Sequence, residues 1–568
     1  MVRVKRVRII MRTLFKFQNQ MKQVWTGLAF LFFFTTLVAC KNNSLASQSG
    51  AKNINLLTIS LDGRAQSNTY SGSSLTPQII LSFSEPIDQA SAKNYLLFSG
   101  GTIPISISFA HHDSTITVQP TSSLNYLTAY NLQILPQLKS TTQKTLDGSS
   151  SGIIINIVTQ IDPSQKFPSI SDTALLNLVQ QQTLKYFYDF AEPNSGMARE
   201  RNTSGNLVTT GGSGFGLMAL IVGMNRGFIS RTDGVARFNK IVTFLEKADR
   251  FHGAWPHWID GSTGKVIPFS PNDNGADLVE TSYMAQGLIT VRQYLTATDT
   301  VGNNLINRIN TLWKNIEWDW FRQSNQNVLY WHWSPDKSWA MNMPIQGYNE
   351  ALIVYILAAG SPSHSIPIEV YQQGWAKNGS IKNGKLFYNH PLPLGEDYGG
   401  PLFFAHYSFL GFDPHVQDTY ANYWTQNVNH SLINHDYCVA NPKKYVNYSD
   451  NCWGLTASDN PSGYGAQSPT NDNGTITPTA AISSIPYTPT LSMNAIKFFY
   501  YTLGDKLWGP YGFYDAINIT EGWTASSTLA IDQGPIIIMI ENYRTKLLWH
   551  LFTSAPEVQS AKTKLGFN

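Results

Sequence analysis

From Ile54 to about Gln160, apolar residues come in short runs that alternate with polar ones or cluster β-branched side chains. Examples are Ile79-Ile80-Leu81-Ser82-Phe83, Ile105-Ser106-Ile107-Ser108-Phe109, Ser114-Thr115-Ile116-Thr117-Val118 and Ile153-Ile154-Ile155-Asn156-Ile157-Val158. Gly, Ser, Asn and Pro separate the runs, a texture that predicts strands. About seven strands at this spacing suit a small antiparallel sandwich over residues 54–160. Beyond a linker at 161–171 the period lengthens. The pattern predicts helices over Asp172–Phe190, Gly214–Asn225, Val235–Arg250, Ala276–Tyr294, Asn304–Trp320, Tyr348–Ala358, Leu491–Tyr501 and Gly534–Phe552. About a dozen helices without strand–helix alternation exclude a TIM barrel or a doubly wound sheet. Residues 172–568 read as one large all-α domain, laid out as a solenoid or as a closed ring of helical hairpins. The absence of a fixed-period repeat counts against the solenoid.

One predicted helix carries chemistry at its entrance. Asp273-Asn274-Gly275-Ala276-Asp277-Leu278-Val279-Glu280 places three carboxylates within eight residues. Leu278, Ala285 and Ile289 fall on one side of the helix; Asp277 and Glu280 neighbour each other on another. Three ionised acids would repel, so such a cluster needs a dipole, a cationic ligand or a retained proton to offset it. Solvated N-terminal acids are the ordinary alternative, but Leu278, Val279, Tyr283 and Met284 surround these with apolar bulk.

Aromatic residues suggest the ligand. Many of the 15 Trp, 27 Tyr and 29 Phe lie in loop text, as in Trp255-Pro256-His257-Trp258, Trp331-His332-Trp333, Trp339, Trp375, Trp424, Trp453 and Trp508-Gly509-Pro510-Tyr511. A sugar ring presents an apolar C–H face and a rim of hydroxyls, and flat aromatics interleaved with polar side chains match it. Core filling is the competing account, and it is accepted for Phe403-Phe404 and Phe498-Phe499.

Charge matters only once the N-terminus is set aside. The first 39 residues hold Arg3, Lys5, Arg6, Arg8, Arg12, Lys16 and Lys22 and no acid, followed by an apolar run Leu28–Phe34 and Leu37-Val38-Ala39-Cys40. That is the layout of a secretory signal, and its apolar run is shorter than the roughly 20 residues of a membrane span. Its end resembles a bacterial lipobox, which implies cleavage before Cys40, a lipid on that thiol and anchoring to the outer membrane, facing periplasm or cell surface. Residues 40–53 read as a flexible tether. Without the leader, 33 basic residues face 37 acidic ones, a net of −4, so no basic face for nucleic acid survives. Cys438 and Cys452 are open to pairing or to remaining separate thiols. His111-His112-Asp113 reads as a polar hairpin turn rather than a metal site.

Several further words occur in order: Gly212-Ser213-Gly214-Phe215-Gly216-Leu217-Met218-Ala219, Gly347-Tyr348-Asn349-Glu350-Ala351, Pro401-Leu402-Phe403-Phe404-Ala405-His406-Tyr407-Ser408, Cys452-Trp453-Gly454-Leu455 and Ala530-Ile531-Asp532-Gln533-Gly534-Pro535. With the Trp255 and Asp277 segments they resemble the bacterial glycoamylase-like domain of glycoside hydrolase family 144, preceded by text similar to bacterial immunoglobulin-like modules. The resemblance implies an (α/α)6 toroid after an immunoglobulin-like sandwich. It also implies a cleft at one end of the ring, no metal or organic cofactor, and inverting hydrolysis of β-1,2-glucan. Inversion needs one protonated acid and one ionised base roughly 6.5–9.5 Å apart, so the pair should come from different elements. Glu350 is the expected acid, Asp277 or Asp273 the residue that positions water, and Glu280 an orienting group. Trp255, His257, Trp258, Tyr348, Arg199, Trp453, Asp459 and Trp508 are the expected substrate-binding residues. Arg201 competes with Arg199, and Asp436, Asp459 and Asp532 are further candidates for the base. Residues Ser458–Pro489 form an expected lid or cleft wall. Two rivals stand beside hydrolysis: a glycosyltransferring or phosphorolytic relative, and a glycan-capturing lipoprotein without catalysis.

Overall fold

The computed structural model describes residues 53–147, 150–295 and 300–568; the leader, Cys40 and the tether lie outside them. The alternating N-terminal runs form two four-stranded sheets. One has the order β1 (Leu56–Leu61), β3 (Ile79–Phe83), β6 (Thr115–Pro120), β5 (Ile105–Ala110). The other has the order β2 (Thr69–Ser73), β8 (Ile153–Thr159), β7 (Ala129–Ile134), β4 (Leu96–Phe98). All neighbours are antiparallel except β2 and β8, which run parallel. The period-two text buries every second residue of β3 and β6, so Ile79, Leu81, Phe83, Ile116 and Val118 meet Leu132, Ile134, Ile155 and Ile157 between the sheets. A short helix α1 (Gln89–Tyr95) is capped by Asp88. His111-His112-Asp113 forms the expected turn, all three residues at positive φ.

The segment at 161–171 is packed rather than loose. Phe167 stacks on Tyr500 with ring centroids 4.5 Å apart, and the Lys166 N–H donates to the Tyr501 carbonyl at 2.7 Å. Ser71 Oγ donates to the Thr520 carbonyl at 2.6 Å, and Leu127 of the sandwich joins a helical core. Residues 53–568 accordingly form one compact unit.

The helical region runs α2 (Asp172–Tyr188), α3 (Thr210–Asn225), α4 (Arg231–Leu245), α5 (Leu278–Tyr294), α6 (Thr300–Lys314), α7 (Leu352–Gly360), α8 (Tyr423–Ala440), α9 (Pro478–Ser483), α10 (Pro489–Lys497), α11 (Ala530–Thr545), α12 (Leu547–Thr553) and α13 (Pro556–Leu565). The last predicted helix divides because Lys546 turns left-handed at φ 59°. Helix α8 escaped the apolar periodicity: its buried face carries Gln426, Asn427, His430, Ser431, Asn434 and His435. Among the described residues, Cys438 and Cys452 are free and buried, and no helix is long and apolar enough to cross a membrane.

Helices α3, α5, α7 and α11 are buried along most or all of their length. Glycine sets how closely they meet. A Cβ on Gly214 would run into the Tyr283 carbonyl, and one on Gly287 into the Gly214 carbonyl, so α3 and α5 cross backbone to backbone. A Cβ on Gly212 would come within 2.7 Å of Ala530 Cβ at the start of α11. Gly214→Ala should therefore force the crossing apart and lower stability by about 1–3 kcal/mol or more, read as a reduced midpoint in chemical denaturation.

Candidate functional site

The close crossing brings helix beginnings together. Helix α3 starts directly after β9 (Leu207–Thr209), and its Gly211 N–H donates to Glu280 Oε2 at 2.6 Å. Thr209 Oγ1 donates to the same oxygen at 3.1 Å. Glu280 lies in the first turn of α5, where the helix dipole favours a negative charge. Asp277 is the N-cap: its Oδ1 accepts the Glu280 N–H at 2.9 Å, and its Oδ2 lies 3.0 Å from His257 Nδ1. This cap explains why the helix begins at Leu278 rather than at Ala276. Ala276–Asp277 is instead a strand, β10, paired with β11 (His332–Trp333). That pairing carries His332 to the acids, its Nδ1 3.3 Å from Asp273 Oδ2 and 3.7 Å from Asp277 Oδ2. Asp273 itself is fixed by a tight turn in which it donates its N–H to the Ser270 carbonyl.

Glu350 arrives from another element. It sits two residues before α7, its backbone carbonyl held by Ser408 Oγ and by Tyr283 OH from α5. Its side chain keeps a solvent-accessible edge while deeply surrounded by protein. Burial, reinforced by the charges of Asp277 and Glu280, pushes the Glu350 carboxyl up to about 7, against the opposing pull of its own backbone N–H. Burial likewise raises Glu280, helped by the charge on Asp277. For Asp277 burial is outweighed by His257, His332 and the Glu280 N–H, and its pKa falls. Burial opposes charge on His257, but Glu280, Asp277 and Asp273 lift it to about 9. His332 is raised in the same way by Asp273 and Asp277. The first cluster thus sets two imidazoles against its acids, each favoured in its charged form.

Asp273, Asp277 and His332 each bring one ligand atom within 4.8 Å of the others, the spacing of a cation site. Protonation of His332, which both aspartates favour, places a positive charge in that spot and withdraws the nitrogen as a ligand.

A second acidic cluster faces the same region. Asp532 lies in the first turn of α11, buried, with neither carboxylate oxygen hydrogen-bonded to a donor. Asp515 stands at hydrogen-bonding range of it and accepts the Asp459 N–H at 2.6 Å. Asp459 takes two bonds from Arg201 Nη1, both 3.1 Å, and one from Ser527 Oγ at 2.5 Å. It begins a hairpin of β12 (Ala457–Asn460) and β13 (Gly463–Ala466), whose Tyr464 projects half-exposed toward Asp532, Asp515 and Asp459. Tyr407 lies between the clusters, feeling both Asp532 and Glu350.

The structure therefore gathers Asp273, Asp277, Glu280, Glu350 and His257 in one cluster and Asp459 with Arg201 and Asp532 in another. Trp258 is half-buried against Phe269, which also covers His257, with ring centroids 4.7 and 4.3 Å away respectively. Other expected sugar contacts are not available. Trp255 and Trp453 are fully buried, the former donating from Nε1 to the Leu245 carbonyl beneath Arg250. Tyr348 is buried, with its OH on Asn427. Arg199 lies over Phe190 and bonds the Phe190 and Gly205 carbonyls, so it braces a loop. Trp508 packs against Tyr500 and Phe513. Asp436 bridges His390 and His435 on α8. Of the expected lid, the hairpin, Thr470, Asn471 and Pro489 are open to solvent; Pro478–Tyr487 is buried. His332 and Asp515 are not among the site residues expected from sequence; the strand pairing that brings His332 and the Asp459 N–H that holds Asp515 join residues far apart in the chain.

Comparison with known proteins gives the same picture from outside. Residues 342–556 match the Glycoamylase family model ("Putative glucoamylase"), and residues 64–155 match the bacterial Ig-like domain. An exo β-1,2-glucooligosaccharide sophorohydrolase (non-reducing end) of Parabacteroides distasonis is 47% identical over 419 residues, 70% of this chain and 58% of that protein. The chain thus spans less than two thirds of that curated relative. An endo-β-1,2-glucanase from Chitinophaga pinensis, solved with sophorotriose and glucose, is 55% identical, with a TM-score of 0.69, over 70% of this chain and 99% of its own. A β-1,2-glucanase from Parabacteroides distasonis is 37% identical, with a TM-score of 0.68, over 92% of this chain and 74% of its own.

The raised His257 has a thermodynamic signature. Its contribution to stability is complete below the ordinary histidine value of 6.5 and disappears as pH rises through about 9. His257→Gln should flatten the stability–pH curve between those values, as measured by denaturant unfolding.

Proposed function

The chain belongs to the glycoamylase-like family, and from that membership and its cleft chemistry we propose a glycoside hydrolase that cleaves β-1,2-glucan or β-1,2-glucooligosaccharides. The observation that carries the proposal is Glu350: a carboxyl held near neutrality by burial, opposite acids that start other helices. Helix beginnings of α3, α5 and α11 gathered at one place support an (α/α)6 ring with its cleft at that end. We set the sandwich at 54–160 and the catalytic region at 172–568, limits that contain the family matches at 64–155 and 342–556.

In this reading, Glu350 protonates the departing glycosidic oxygen, the task of a carboxyl that keeps its proton near pH 7. An inverting reaction then needs a base on the opposite face of the sugar, with room for water. Asp277 fits poorly, because its oxygens serve the Glu280 N–H and His257. Asp273 keeps Oδ2 free of hydrogen-bond donors, but His332 stands over it. Asp532, across Tyr407 from Glu350 and with both oxygens unengaged, is the better base. Asp273, Asp277 and Glu280, with their two imidazoles, hold the field that shapes the cleft and orient sugar hydroxyls. Trp258 and Phe269 offer aromatic surface beside them. A lipid on Cys40 would keep this activity at the outer membrane.

Glu350→Gln should retain glucan binding and lower turnover by about 10²–10⁴-fold, followed as new reducing ends from β-1,2-glucan; a glycan-capturing protein would show no such loss. For the native protein, kcat/KM should fall as pH rises through about 7, where Glu350 loses its proton.

A further inference from the structure

Asp515 is a buried acid that the mechanism above leaves without a task. Its Oδ2 is engaged by the Asp459 N–H, its Oδ1 is buried without a donor, and it faces the two donorless oxygens of Asp532. Three buried acceptor oxygens cannot all stay ionised at contact; one proton between them supplies the missing donor. The surroundings offer little other relief. Tyr464 and Asp459 face the pair from the hairpin, Tyr407 from the cleft, and Arg201 from the loop before α3. Arg201 already bonds Asp459 and Glu200. Asp515 is itself fixed, donating its N–H to the Ser527 carbonyl at 3.0 Å, while Gln533 ties α11 to the Phe513 carbonyl at 2.8 Å.

We propose that Asp515 is a positioning residue that shares one proton with Asp532 and thereby sets the orientation and charge of the carboxylate that receives a proton from water. In the singly protonated pair, Asp532, whose oxygens meet no other donor, keeps the proton and shares it with Asp515, whose negative charge the Asp459 N–H favours. When water attacks the anomeric carbon, its O–H bond breaks and the proton passes to Asp532 as Asp532 gives its own proton to Asp515, while Glu350 gives its proton to the leaving oxygen. The pair is then neutral, and it resets by releasing one proton to solvent. Burial first, and then each other's charge for Asp532 and that of Asp459 for Asp515, favours retention of this proton: Asp515 is raised to about 7 and Asp532 further.

The inference rests on Asp532 as base, and two readouts separate the two claims. Asp515→Asn replaces a like charge with an amide donor. It should move the acid limb of the kcat/KM–pH profile down by about one unit or more while kcat stays within about tenfold of native. An infrared difference spectrum at pH 7 should show a protonated carboxyl C=O band in the native protein that is lost in both Asp515→Asn and Asp532→Asn. An Asp515→Asn profile whose acid limb does not move, or a carboxyl band that survives in both variants, overturns the shared proton. Near-native turnover in Asp532→Asn instead overturns the base assignment; the infrared band then decides the shared proton alone.

Discussion

The contact on which the rest depends is the crossing of α3 and α5 at Gly214 and Gly287, where no side chain fits between two backbones. Because the helices meet so closely, the first turn of α3 lies beside that of α5, and Gly211 can reach Glu280 with its own N–H. Gly212 lets α11 join them, bringing Asp532 to the same end. Carboxylates that enter on separate helices thus share a floor made of backbone. A floor of this kind reorganises little during a reaction, which is what electrostatic catalysis asks of its surroundings.

Concentrating acids in one place has a cost, and the structure offsets it locally. Helix N-termini and capping N–H groups favour ionised Asp277 and accommodate Glu280, while the acids favour the charged forms of His257 and His332 beside them. Glu350 has no imidazole beside it and keeps its proton longer; Asp515 and Asp532 have only Arg201, already bonded to Asp459 and Glu200, and lean on each other. One cleft therefore holds carboxyl groups in different protonation states, and the difference follows from which of them lie against imidazole.

Much of this was legible along the chain. The acidic segment before α5, the glycine-rich start of α3, Glu350 ahead of an apolar helix and the alternating strands each carry a local signal. What stayed hidden was decided by distant contacts. A tryptophan in loop text looks the same whether its ring faces a sugar or, like Trp255, fills the space beneath Arg250. Helix α8 buries amides and imidazoles that are satisfied by partners such as Tyr348 and the Leu455 backbone, so a search for apolar periodicity passes over it. His332 and Asp515 carry no mark of their own; strand pairing brings the first, and bonds to Asp459 and Ser527 hold the second.

The β12–β13 hairpin is fastened one residue pair from its turn, through Asp459 to Arg201, Ser527 and Asp515, while a Cβ on Gly463 beside that turn would meet nothing within 4 Å. Insertions or deletions at that turn would therefore be felt at Asp459 and, through its N–H, at the buried acids beneath it.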